Sequence, residues 1–180
     1  MALQPAEKTP IYAVTFPSDR PTYVVNFNVS PAAAADLFAI EAAGKTIRLQ
    51  RIVIDNPGFQ TTAGVVLLSL IRTTTAGTGG VVTPSTLDPA DPAAVSVAHA
   101  APTSLGAAGT TIASYGIFVP ATAAAAFSPV VIDMGGQGQV YKQPTVSPSP
   151  TGAAGIALRH PGAAGAQGLI GYAVFTEEVG

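Results

Sequence analysis

Short runs of β-branched and aromatic residues, separated by glycine, proline, serine and threonine, constrain this chain more than any other feature. Sixteen prolines and nineteen glycines are dispersed along 180 residues. That punctuation leaves little room for helices and reads as an all-β sandwich or barrel. Tyr23 to Val29 alternates, with Val25, Phe27 and Val29 on one face and Asn26 and Asn28 on the other. Thr46 to Asp55 opens with Ile47 and Leu49 inward and Arg48 and Gln50 outward. Its phase then blurs at Arg51-Ile52-Val53-Ile54, which implies burial on both faces or a bulge. Val65 to Arg72 is almost continuously apolar and reads as a central strand buried on both faces. Thr111 to Val119, Pro129 to Asp133, Gln139 to Lys142, Gly155 to Arg159 and Leu169 to Phe175 complete the expected strands. Gly135-Gly136 is the expected turn between the third-last pair of runs.

Ser30 to Gly44 conflicts with itself. Ser30 suits a helix N-cap, Pro31 a first helical position and Gly44 a C-terminal stop, around an alanine-rich run. Yet Phe38 and Ile40 alternate with their neighbours, and the segment leads directly into a strand.

Charge is sparse. Charged residues make up 10% of the chain against 48% hydrophobic, where a typical soluble domain carries roughly 25% charged. Between Asp91 and Asp133 there is no Asp, Glu, Lys or Arg. Such a stretch defends weakly against association, as suits a subunit of an assembly. The net charge of −2 and the lack of a basic stripe argue against nucleic acid. Ion pairing explains Arg48 and Arg51 better than phosphate contacts.

Chemistry is hard to place. No cysteine is present, which removes disulfides, thiolate metal sites and thiol catalysis. His99 and His160 stand alone in turn-like settings, without zinc-binding spacing. Asp88 and Asp91 suggest a calcium loop, but Asp-Pro pairs more often begin turns. Glu177 and Glu178 would point to opposite faces of a strand, and a solvated chain end explains them better. Gly135-Gly136-Gln137-Gly138 lacks the Lys and Ser/Thr of a phosphate loop. Met1 to Thr9 has no apolar core of a signal peptide, and Val65 to Ile71 is too short to span a bilayer. No enzyme, cofactor, metal or membrane association is therefore expected.

Residues 1–20 read as an N-terminal arm and 21–180 as a single sandwich domain. Thr73 to Ala94 and Thr145 to Ala154 read as long loops able to lie over a neighbour. The expected packing positions are Thr73, Gly79, Pro84, Asp88, Asp91, His99, Pro102 and Pro120.

Asp36-Leu37-Phe38-Ala39-Ile40, Gly44 to Ile52, Leu67 to Gly80, Pro84 to Asp88, Ala93 to Val95, Pro102 to Gly106 and Val174 to Glu178 together resemble small structural proteins of tailed bacteriophages. The resemblance spans most of the chain after residue 20. It implies a virion component on the capsid exterior, made in the host cytoplasm, and most simply a capsid decoration (cement) protein. It also implies a jelly-roll-like antiparallel β-sandwich, a homotrimer, and the major capsid protein as partner. By the same resemblance Leu37 to Glu41 is a strand rather than a helix. The alternative is a receptor-binding or tail/head-fibre module, with Tyr115, Phe127 and Tyr141 as exposed aromatics.

Overall fold

A computed structural model describes residues 20–31, 33–56, 63–75, 77–121, 129–135, 139–142, 155–162 and 168–178. Most of the expected arm, the loop at 145–154, Phe127 and Gly136 to Gly138 lie outside them. The described residues form strands and no helix. In chain order these are β1 (Thr22–Val29), β2 (Ala35–Glu41), β3 (Thr46–Asn56), β4 (Gly64–Thr73), β5 (Val81–Val82) and β6 (Ser85–Thr86). They continue with β7 (Val97–Ala100), β8 (Ala108–Val119), β9 (Val130–Asp133), β10 (Gln139–Lys142), β11 (Gly155–His160) and β12 (Leu169–Glu178).

The strands make two antiparallel sheets. The front sheet runs β10-β3-β12-β1-β6, with β9 also on β3; the back sheet runs β5-β7-β2-β11-β4-β8. Pairing is nested. β4 pairs with β8, β3 with β9 and β10, β2 with β11, and β1 with β12. The chain is thus one long hairpin, folded over so that successive layers alternate between sheets. Residues 74–107, which carry β5, β6 and β7, form an insertion at the turn of that hairpin. β7 adds to β2, β5 to β7, and β6 to β1, so the insertion extends one lateral side of the sandwich.

Alternation determines the core. Val25, Phe27 and Val29 from β1 meet Phe38 and Ile40 from β2, Leu68 and Leu70 from β4, and Phe175 from β12. The Phe27 and Phe38 rings stack at 5.9 Å, and the Tyr23 and Phe175 rings tilt at 5.4 Å. Burying each such side chain contributes about 1.5–3 kcal/mol.

Several expectations change, but the strand reading of Leu37 to Glu41 holds: residues 35–41 form a strand, and the local helix signal at Ser30, Pro31 and Gly44 loses to pairing on both sides of β2. Gly44 instead takes a positive φ of 84° in the tight connection to β3. β9 and β10 are not a hairpin around Gly135; they lie end to end along one edge of β3. The break between them falls opposite Gln50, whose carbonyl accepts from Met134 N–H at 2.9 Å. Gln50 is also the extra residue where β3 shifts register against Val174 and Phe175, which explains the blurred phase read from the sequence. β4 is not buried on both faces, because Val65 and Leu67 are 66% and 58% exposed. Thr73 to Ala94 is not a free loop. It holds β5 and β6, and Leu87 N–H donates to Thr22 O at 2.9 Å.

Candidate functional site

The eight positions expected to meet a partner fall into two groups. Thr73, His99, Pro102 and Pro120 are buried, so they serve the fold rather than a surface. Thr73 Oγ1 accepts from Gly155 N–H at 3.0 Å and ties β4 to β11. His99 lies in β7, not in a turn. Its Nδ1–H donates to Gly79 O at 2.7 Å, and its Nε2 lies 2.9 Å from Glu41 Oε1. That short approach lacks hydrogen-bond alignment. Burial pushes the Glu41 carboxyl up, and the neighbouring imidazole pulls it partly back.

Gly79, Pro84, Asp88 and Asp91 are exposed or half-buried. Gly79 needs its positive φ of 75°, and a side chain there would run into Thr103. Asp88 Oδ1 accepts from Ala90 N–H at 2.8 Å, the turn chemistry expected of an Asp-Pro pair. Asp91 Oδ2 accepts from Thr22 N–H at 3.2 Å and pins the insertion to the start of β1. Among the described residues no group of three His, Asp or Glu gathers that could hold a metal.

Several other charged side chains are likewise engaged in the fold. Asp36 is fully buried and takes a bidentate pair from Arg159, at 2.7 and 3.1 Å. Arg159 also donates to Gly106 O at 2.8 Å. Glu177 and Glu178 are not a solvated end. Glu177 is buried and accepts from the N–H groups of Val95 and Ser96 and from the Ser96 hydroxyl. Glu178 pairs with Arg48 and Arg20, and the Arg48 hydrogen bond holds its carboxyl below the usual range. Arg51 pairs with Asp133 at 2.8 Å, which with a Gly135 N–H holds Asp133 low as well. The ion-pair reading of Arg48 and Arg51 therefore fits the geometry.

Part of the uncovered surface is apolar. On the outer face of the back sheet, Val65 stands opposite Phe118 and Leu67 opposite Gly116. Val65, Leu67 and Phe118 are each more than half exposed, Phe118 at 59%. Further along the same face Ala39, Ile71 and Ala157 are covered. The exposed trio is thus local to the β4–β8 end. It lies inside or beside the stretch between Asp91 and Asp133 that has no charge. Sequence reasoning found that stretch but missed Val65 and Leu67, because an unbroken apolar run does not reveal that one face is left uncovered.

A second feature lies on the outer face of the front sheet. Val24, Tyr172 and Val174 floor a cleft of about 480 Å³, with Leu87 beside it and Gln50 and the Arg51–Asp133 pair at its rim. Tyr115, read as an exposed aromatic, is half-buried and donates to Met134 Sδ at 3.8 Å. Phe127 lies outside the described residues, as does the Tyr141 side chain. His160 is fully buried at the end of β11, not in a turn. Its Nδ1 accepts from Gly162 N–H at 2.9 Å, and burial pushes its pKa down from 6.5.

No family model, curated protein or solved structure matches the chain, so its functional reading rests on this geometry and on the residues themselves.

Proposed function

We propose that the chain is a virion structural protein, not an enzyme, and that it acts as a capsid decoration protein. It binds the major capsid protein across adjacent subunits on the capsid exterior, after synthesis in the host cytoplasm. The observation that carries this reading is the exposed Val65–Leu67–Phe118 face beside a strand without charge. Uncovered apolar surface of that kind marks interaction sites. The nested pairing of two antiparallel sheets supports a jelly-roll-like reading, an architecture found in viral capsid domains, in keeping with the resemblance to phage structural proteins. Self-association, as a trimer by the same resemblance, belongs to the proposal.

The mechanism is mass action. A protein that binds only the assembled shell stabilises it by about 2.7 kcal/mol per site when present at a hundred times its dissociation constant. Catalysis is not involved.

Quantitative mass spectrometry of purified particles tests the reading. The expected result is hundreds of copies per particle, released intact when the chain is stripped from the head. A handful of copies, enriched at the tail, would remove the decoration role and favour a fibre or receptor-binding module.

A further inference from the structure

Pairing fixes a row of side chains across the outer face of the front sheet. Asp133 stands opposite Arg51, Arg51 opposite Val174, and Val174 opposite Val24. The row crosses β9, β3, β12 and β1 in turn, and three strand spacings make it about 14 Å long. Tyr172, two residues from Val174, lies on the same face. The row runs from the rim of the 480 Å³ cleft, at Asp133 and Arg51, to its floor at Val174 and Val24. Leu87 raises one side, held where its N–H donates to Thr22 O. The turn at 133–135 raises the other, closed by Gly135 N–H donating to Asp133 Oδ1 at 2.8 Å. Sites for small ligands span about 300–1,000 Å³, so the cleft is of ligand size.

The polar groups around this apolar floor keep unused hydrogen-bonding capacity. Arg51 places Nε–H and one Nη2–H on the same oxygen, Asp133 Oδ2, at 3.3 and 2.8 Å. Its Nη1 group has no partner among the described residues, and neither has the Gln50 side-chain amide or the Tyr172 hydroxyl.

This lining discriminates between classes of ligand. A phosphate or other anion gains little, because Asp133 cancels the Arg51 charge and no other lining residue is charged. An extended peptide added as a strand needs an open sheet edge, and β12 and β1 have neighbours on both sides at Val174 and Val24. An acyl chain would strip water from Arg51, Gln50 and Tyr172 without replacing its hydrogen bonds, which is unfavourable. A sugar ring has C–H groups on its faces for the apolar floor. Around its edge it carries hydroxyls that both donate and accept, as the amide, the phenol and the guanidinium–carboxylate pair require.

We propose that the cleft binds a neutral saccharide of one or two pyranose rings, a ring face on Tyr172 and Val174 and its hydroxyls toward Gln50 and the Arg51–Asp133 pair. The cleft and the Val65–Leu67–Phe118 face lie on opposite outer faces of the sandwich. A chain seated on a shell by its back sheet therefore turns the cleft to the medium. The inference goes beyond the decoration reading and does not depend on it, since the cleft belongs to the single chain.

Isothermal titration of the full chain with maltose, lactose, mannobiose and chitobiose tests it, with saturation transfer to the sugar protons as a second readout. At least one of these should bind with a dissociation constant on the order of 1 mM. No binding of any of them at about 20 mM overturns the inference. So does sialyllactose or inorganic phosphate binding about tenfold tighter than every neutral sugar, because the cleft would then select charge. Tyr172→Phe removes one hydroxyl and Gln50→Ala one amide. Each should weaken sugar binding about fivefold and leave the unfolding midpoint unchanged, because neither group serves the fold. Unchanged affinity in both variants overturns the site. Leu67→Ser should bind sugar as the natural chain does; loss of binding there would place the sugar on the back sheet and overturn the assignment. Sugar binding is measured on the isolated chain and copy number on particles, so either reading can fail without the other.

Discussion

Single residues in this protein are constrained most tightly where polar groups are buried. Asp36 has no exposed surface and depends on Arg159, and breaking a buried pair strands the remaining charge. Asp36→Ala should therefore cost about 3 kcal/mol, measured by urea unfolding. Gly155 is constrained by space: a Cβ there would collide with the Ile40 carbonyl across the β2–β11 pair. Gly155→Ala should leave the chain insoluble or lower its unfolding midpoint sharply. His160 contributes to the pH dependence around neutrality. Its folded pKa is depressed below 6.5, so the unfolded chain takes up the proton first as pH falls. Its contribution is complete above pH 6.5 and is lost below it. Stability should fall as pH drops through 6.5, and His160→Gln should flatten that slope in thermal melts. An unchanged slope would assign the pH dependence to other groups.

At the level of elements, local sequence and pairing disagree in two places, and pairing wins both times. The alanine-rich run before Leu37 favours a helix, but Phe38 and Ile40 fill the core only as alternate residues of a strand. β2 gains hydrogen-bonded neighbours on both sides, which an isolated helix could not match. In β4 the continuous apolar run reads as doubly buried, yet only the Leu70–Ile71 end is covered on both faces. The exposed end is a surface, not a core. Leu67→Ser and Phe118→Ser should accordingly change stability by less than about 0.5 kcal/mol. If the chain decorates a capsid as proposed, the same substitutions should sharply reduce the amount of protein retained on particles. A loss of stability as large as that of a core substitution would show that these side chains serve the fold.

The whole molecule is defined by nesting. Thr22 pairs with Thr176, at opposite ends of the described chain. Such long-range pairing must be reached before most contacts form, so refolding should be slow, on the order of milliseconds to seconds or longer. Stopped-flow fluorescence following the tyrosines would measure it. Nesting also makes the final strand indispensable. β12 lies between β1 and β3, and without it the front sheet divides. Deleting residues 168–180 should abolish cooperative unfolding altogether.

The sequence by itself settles the class of this protein. Period-two alternation at Val25, Phe27 and Val29 and at Ile47 and Leu49, with glycine and proline between the runs, admits only strands. It also shows the sparse charge, because that is a matter of composition. It does not show which strand lies beside which, and that information decides the rest. His99 and His160 are buried because strands far away in sequence cover them, and Glu177 is capped by Val95 and Ser96 from the insertion. Val65, Leu67 and Phe118 are exposed because, among the described residues, nothing packs over that end of the outer face of β4 and β8. Burial is a property of neighbours brought together by pairing, and a single strand's pattern records which residues share a face but not what covers it.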